Sequence, residues 1–269
     1  MEKLSVFVTT YNNDKTLAAC LDSVKWADEI VLLDSLSDDQ TLEIAKQFGC
    51  RIFQHQFMGY GPQKQMALEH TTHKYVLLMD ADEVLSPALQ KEIQALRENG
   101  FEADGYTIAR QEQLFWRMSS TKSRMNYYLR LFNKHKGHIS DMPIHAAPKV
   151  EGTIRKLKEH FYHFGETSIH VKVDKINHYS TGLVADKTAK GKRSNPWIRL
   201  LLYPPVFFMR SYFFKRNFLD GWAGFISSVT ITFYDFLKYA KLYEHEQLAK
   251  YGRSLLPDCA TDLADSRKD

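Results

Sequence analysis

With 269 residues, 44% hydrophobic and 25% charged, the chain has the length and apolar content for one large core, which excludes a disordered polymer. Its formal net charge of +4 is too mild to argue for nucleic acid by itself. Three widely spaced cysteines, Cys20, Cys50 and Cys259, lack metal-ligand spacing and suit neither a disulfide framework nor a structural zinc site.

Residues 4–9 are β-rich, and the apolar run at the N-terminus is too short for a signal peptide. Asn12-Asn13-Asp14 offers a helix cap, with Leu17, Leu21 and Val24 on one helical face behind it. Ile30-Val31-Leu32-Leu33 is a continuous apolar run, as expected of a strand buried on both faces. Residues 38–48 predict a second helix, ended by Gly49. A short strand over 51–54, a helix over 61–71 and an apolar strand over 75–79 follow. Ser86-Pro87 then caps a helix that buries Leu89, Ile93 and Leu96 and stops at Gly100. This alternation predicts an α/β fold with a mainly parallel sheet flanked by helices. Farther on, residues 104–110, 127–132 and 159–164 read as strands joined by long loops, and residues 168–246 read as helical. The expected organisation is one large domain over 1–165, with a change of pattern near 100. A helical C-terminal region over 166–250 and a polar tail over 251–269 complete it. No run of about 18 uncharged apolar residues occurs, so a spanning helix is not expected.

Open parallel sheets bind ligands at the carboxyl ends of their strands. Three polar clusters fall there: Thr9-Thr10-Tyr11-Asn12, then Asp34-Ser35-Leu36-Ser37-Asp38-Asp39-Gln40-Thr41, and Asp80-Ala81-Asp82-Glu83. Asp80 and Asp82, one residue apart, can approach a hard cation together, and Mg²⁺ or Mn²⁺ prefers such oxygen ligands. The competing reading of that pair is a turn or a helix cap. Asp34 can accept from a base edge or ribose hydroxyl, or serve as a solvated turn acid. Tyr11 can stack on a base or simply pack. Lys64, near the start of a helix opened by Gly59-Tyr60-Gly61-Pro62-Gln63, can meet a phosphate or lie on the surface.

Together these clusters resemble a family 2 glycosyltransferase of the GT-A (Rossmann-like) fold: Val8-Thr9-Thr10-Tyr11-Asn12 its opening strand and turn, the Asp34 to Thr41 run its nucleoside loop, and Asp80-Ala81-Asp82-Glu83 its metal motif. A narrower resemblance is to lipopolysaccharide inner-core heptose β-1,4-glucosyltransferases. It rests on Gly59-Tyr60-Gly61-Pro62-Gln63-Lys64-Gln65, Leu129-Arg130-Leu131-Phe132, Ile144-His145 and His163. That group usually carries a Glu directly after the first of these histidines, where this chain has Ala146. The resemblance implies an inverting hexosyltransferase that uses a UDP-sugar, with UDP-glucose the expected donor and a lipid-linked saccharide the acceptor. It implies donor contacts from Thr10, Tyr11, Asn12, Asp34, Ser35, Asp39, Gln63, Lys64, Asp80 and Ala81. It implies Mg²⁺ or Mn²⁺ on Asp80, Asp82 and His163, and acceptor contacts from Arg130 and His145. Asp141, in the loop before His145, is the candidate base, with Glu83 and Glu112 in reserve.

The C-terminal region has its own pattern. Between Lys187 and Leu219 there are eight Lys/Arg and no Asp/Glu, with aromatic and aliphatic residues interleaved. Pro204-Pro205 should break any helix there, and an uncharged segment from Gly221 to Tyr234 follows. Residues 187–234 therefore suit an anionic membrane surface, and with the resemblance this implies a peripheral protein at the cytoplasmic face of a bacterial inner membrane. The competing readings are a buried hairpin and a homodimer contact. No nucleic-acid module is present. Three other readings stand against the transferase: a nucleotidyltransferase, which usually opens with a Gly-rich basic loop after strand one; a dehydrogenase, which needs G-x-G-x-x-G there; and a non-catalytic nucleotide-sugar-binding scaffold, which Ala146 favours.

Overall fold

The computed structural model describes residues 1–140, 146–189 and 197–251, with side chains described for 1–140, 146–184 and 197–250. The chain forms two compact units, one ending at Thr167 and the next starting at Ser168.

The first unit opens with β1 (Leu4–Thr10), α1 (Leu17–Asp22), β2 (Glu29–Asp34), α2 (Thr41–Gln47), β3 (Arg51–Gln54), α3 (Tyr60–Glu69) and β4 (Tyr75–Asp80). Then come β5 (Glu83–Leu85), α4 (Pro87–Asn99), β6 (Gly105–Leu114), β7 (Arg117–Met118), β8 (Asn126–Asn133), β9 (Gly137–Ile139), β10 (Pro148–Val150) and β11 (Ile154–His163). One mixed sheet runs β3-β2-β1-β4-β8-β6-β11-β5, with β7 paired to β6. Its first four strands are parallel; β8 then joins antiparallel to both β4 and β6. Strands β9 and β10 form a separate pair. This is the GT-A-type architecture expected: a largely parallel sheet with flanking helices.

Strand alternation divides β1 between two cores. Val6 and Val8 pack with Leu17, Leu21, Leu89 and Ile93 on the α1 and α4 side. Phe7 faces the other way, against Ala67, Leu68 and Phe132. Burial on both faces is why residues 30–33 of β2 and 75–79 of β4 read as unbroken apolar runs.

The expected caps fare differently. Ser86 Oγ accepts from the Leu89 backbone N–H at 3.1 Å, as Ser86-Pro87 predicts, and Gly100 follows the helix with φ of 87°. Ser86→Ala should therefore cost about 1 kcal/mol, read as a lower urea midpoint with an unchanged slope. Asn12-Asn13-Asp14 does not cap α1, which starts only at Leu17 behind Thr16. Its polar groups bridge to the loop after β2 instead: Asn12 Nδ2 donates to Asp38, and the Asn13 backbone N–H donates to Thr41 Oγ1. The same bridging shortens the second helix, which begins at Thr41 rather than 38 because Asp39 accepts from the backbone of Asp14 and of Thr41. β11 begins at Ile154 rather than 159, and its register with β6 shifts between Lys156 and His160, which interrupts the alternation.

The second unit holds α5 (Ile169–Ala189), a π-helical turn at Trp197–Leu202, α6 (Tyr203–Met209), a second π-helical turn at Arg210–Phe214, a 3-10 turn at Asn217–Asp220 and α7 (Gly221–Tyr251). Pro204 and Pro205 lie in the first turn of α6. They lack the N–H groups that would bond back into the preceding turn, so the regular helix breaks there and the path widens. No helix among the described residues is long and apolar enough to cross a membrane.

Candidate active site

The carboxyl ends of β1, β2 and β4 lie side by side, with Thr10 in register with Asp34 and Thr9 with Asp80. That register gathers the three polar clusters on one rim. At the first two, side chains tie the loops together. Asp34 is fully buried; its carboxylate accepts from the Ser37 hydroxyl, from the Ser37 backbone N–H at 3.0 Å and from Gln54 Nε2 at 3.0 Å. Ser35 accepts from Gln63 Nε2 at 3.1 Å, and Gln63 Oε1, also buried, has no hydrogen-bond partner among the described residues. Thr10 Oγ1 donates to Asn13 Oδ1. Asn12 and Leu36 both adopt positive φ, 51° and 66°, which turns these two loops sharply at the strand ends. Tyr11 is not packed away: it is 60% exposed on this rim, and Leu36 is exposed as well.

At the third cluster the acids separate. Asp80 Oδ1 meets Lys64 Nζ at 2.6 Å, and Oδ2 meets the Arg130 guanidinium at 3.1 Å. Lys64 is thus no surface lysine; α3 carries it buried to the end of β4. Burial alone would raise the Asp80 carboxyl, but Lys64 and Arg130 outweigh it and hold it well below the usual carboxylate range. Asp82 turns the other way, and its Oδ2 lies 3.4 Å from His163 Nε2. Ala81 between them is buried.

Behind these residues the sheet supplies a continuous line of alternating charge. Strands β5, β11 and β6 are neighbours, and their register sets Glu83, His163 and Glu112 side by side. Arg130 donates to Glu83 Oε1 at 2.5 Å; Glu83 Oε1 lies 3.9 Å from Arg110 Nη1. Arg110 pairs with Glu112 Oε1 at 2.7 Å, and Glu112 Oε2 accepts from His163 Nδ1 at 2.6 Å. The line runs Lys64, Asp80, Arg130, Glu83, Arg110, Glu112, His163, Asp82, each acid between cations or at the end. Arg110 also lies 4.2 Å over the Tyr128 ring, and Arg130 5.4 Å over the Phe161 ring.

Two assignments change on this geometry. Glu83 is fully buried, with one oxygen on Arg130 and the other accepting from the Asp80 backbone N–H at 3.0 Å. It has no face for an acceptor hydroxyl, so it positions Arg130 and the Asp80 turn and is not a base. Burial, with Asp80 nearby, pushes its carboxyl upward despite Arg130. Arg130, expected to contact the acceptor, is itself buried against Asp80 and Glu83. Asp141 and His145 lie outside the described residues.

Among the described residues no cluster of three or more His, Cys, Asp or Glu side chains forms a ready-made metal site. The donors present fit a different kind of site. Glu112 fixes the His163 ring through Nδ1 and thereby aims Nε2 at Asp82, the arrangement in which a second carboxylate orients a metal-binding imidazole. One carboxylate and one imidazole suit a divalent ion that completes its shell with water and substrate phosphate. Burial would lower the His163 pKa, but its hydrogen bonds to Asp82 and Glu112 raise it to about 10. Sequence reasoning missed Arg110 entirely and placed Glu112 only in reserve. The available signal was Arg110-x-Glu112, two opposite charges on one face of a strand.

The comparisons with known proteins bear on the family. The sequence pattern of Glycosyl transferase family 2 matches residues 5–148, more than half of the chain. The chain is 30% identical over 255 residues to the lipopolysaccharide core biosynthesis glycosyltransferase LpsC of Rhizobium meliloti, covering 91% of this chain and 93% of LpsC. It is 32% identical over 258 residues to an uncharacterized glycosyltransferase of Rickettsia felis, covering 91% and 90%. Among solved structures it is similar to S. aureus TarS 1-349 in complex with UDP-GlcNAc, at 15% identity and a TM-score of 0.47, over 89% of this chain and 92% of that one. The chain belongs to glycosyl transferase family 2.

Proposed function

We propose that this family 2 enzyme moves a hexose, glucose in the first instance, from a UDP-sugar to a lipid-linked saccharide with inversion at the anomeric carbon. The proposed acceptor is a heptose of a lipopolysaccharide inner core, in keeping with the name of the relative LpsC. The observation that carries the reading is the line of charge that ends in Asp82 facing His163 at the end of β4, on the rim shared with the Tyr11 and Asp34 loops.

In this reading Tyr11, Asn12 and the loop around Asp34, Ser35 and Asp39 receive the nucleoside. The exposed Tyr11 ring offers a stacking face. Asp34 acts by holding the loop, because its oxygens already accept from Ser37 and Gln54. Lys64 and Arg130, gathered by Asp80, set positive charge where the diphosphate departs. Asp82 and His163 would hold Mg²⁺ or Mn²⁺. Such an ion, when bound, neutralises charge developing on the leaving diphosphate. Asp141 takes the proton of the acceptor hydroxyl as it attacks. Attraction of residues 187–234 to anionic lipid at the cytoplasmic face brings enzyme and acceptor together.

The test is transfer itself. Full-length protein, UDP-glucose, Mn²⁺ and a truncated lipopolysaccharide ending in heptose should give a glycan heavier by one hexose. An unchanged acceptor with every nucleotide-hexose tried would remove the proposed substrate pair. Two variants probe the roles. Asp141→Asn should lower transfer at least ~10²-fold with UDP affinity nearly unchanged. Glu112→Gln should lower apparent Mn²⁺ affinity by about 10–100-fold, because the ring of His163 loses its orienting carboxylate.

A further inference from the structure

The helical unit inverts the usual distribution of side chains. From Gly221 to Phe236 the buried positions of α7 are small or polar, namely Ala223, Gly224, Ser227, Ser228 and Asp235, and the large apolar Leu242 is buried only farther along the helix. Their polar groups are satisfied within the unit. Ser228 Oγ donates to the Gly224 carbonyl at 2.8 Å, Asn217 Nδ2 donates to Ser228 Oγ at 3.1 Å, and Lys172 Nζ donates to Ser227 Oγ at 3.1 Å. Gly224 is required by this close packing, since a Cβ there would lie 1.9 Å from the Asn217 carbonyl oxygen.

The opposite face of α7 carries Trp222, Phe225, Val229, Phe233 and Phe236, all exposed. Their spacing of three, four, four and three residues is a single helical stripe. Trp222 is 76% exposed, and in the turns before α7 Trp197 is 72% and Phe214 75% exposed. Water-soluble monomers rarely leave so many large apolar side chains contiguous and bare, and seldom fill a helix seam with serines beneath them. Lipid inverts that preference, with small and hydrogen-bonding residues between helices and large apolar ones outward.

We infer that this face is buried in the acyl region of one membrane leaflet, so that the unit is a monotopic insertion and not only an electrostatic contact. This deepens the membrane part of the proposed function and rests on that reading. Three observations choose lipid as the occupant. Trp197 and Trp222 suit the headgroup boundary. Arg199, Arg210, Lys215 and Arg216 border the apolar residues with no acid between Lys187 and Leu219, which complements phosphate headgroups and opposes a like-charged second copy. Residues 252–269 are mostly polar, with Leu255, Leu256 and Leu263 as their large apolar side chains and four Asp, a composition unlike that of an apolar covering segment. The helices are too short in apolar length to span, so insertion stops within one leaflet.

The experiment is flotation of full-length protein with vesicles of neutral phosphatidylcholine, and with vesicles that also contain anionic phosphatidylglycerol, at low salt and at about 1 M salt. Insertion predicts flotation with both, retained at high salt, and a blue-shifted tryptophan emission quenched by brominated acyl chains. Trp197→Ser/Phe214→Ser/Trp222→Ser, all at exposed positions, should reduce partition by about tenfold or more. Flotation only with anionic vesicles, abolished by salt, would overturn insertion while leaving surface attraction in place. A salt-resistant dimer that ignores both vesicles, and that the triple variant converts to monomer, would assign the face to a second copy instead. Mn²⁺-dependent UDP binding, measured on the same samples, separates this outcome from failure of the transferase reading: insertion predicts that the triple variant keeps it.

Discussion

Asp82→Ala will lower turnover by at least ~10²-fold, with the fold and its melting midpoint nearly unchanged. The Asp82 carboxylate is partly exposed at the site's open end, 3.4 Å from His163, so truncation removes little packing. What it removes, in the proposed reading, is the carboxylate that would share a cation with the imidazole. The matching change at Asp80 would not be equivalent, because Asp80 spends its oxygens on Lys64 and Arg130. A steady-state assay with saturating donor, beside a thermal melt of the same preparation, checks both halves. Wild-type turnover in the folded variant would remove Asp82 from the metal site.

Arg130→Met will destabilise the first unit by about 3–5 kcal/mol, because it removes the hydrogen-bonded cation of a fully buried carboxylate and leaves it only Arg110 at 3.9 Å. Glu83 has no exposed surface, and Arg130 is its shortest ion-pair contact. For a domain of this size the midpoint should fall by roughly 6–20 °C. Adding Glu83→Gln should restore much of the loss, since a neutral amide needs no cation. A single variant that melts like the wild type would mean the pair contributes little to folding. A double variant no better than the single would place the cost in lost packing over Phe161.

These two residues also mark how far the sequence could be read. Asp82 was legible because local pattern carries it: a strand apolar from Tyr75 to Met79, then a polar cluster, in the third of three such places. The parallel half of the sheet and the Ser86 cap were legible for the same reason, as each depends on neighbours within a few residues. The line of charge was not. Arg130 lies 47 positions from Glu83 and 50 from Asp80, and His163 lies 51 from Glu112, so only strand order brings them together. That order passes through β5, a three-residue strand too short to show alternation, and through β11, whose pattern is interrupted by the register shift after Lys156. The helical unit was half legible. Composition gave its basic and aromatic content, but which face of α7 is bare depends on the packing around Gly224 and Ser228.

The central claim is that Asp82 and His163 complete a cation site only together with the donor's diphosphate. Thermal melts of the wild type and of Asp82→Ala, each with UDP alone, Mn²⁺ alone and both, test it most directly. A ligand that binds only the folded state raises the midpoint by mass action. The wild-type shift should be large only when UDP and Mn²⁺ are present together, and the variant should show no such synergy. Equal UDP shifts with and without Mn²⁺, or full synergy in Asp82→Ala, would contradict it.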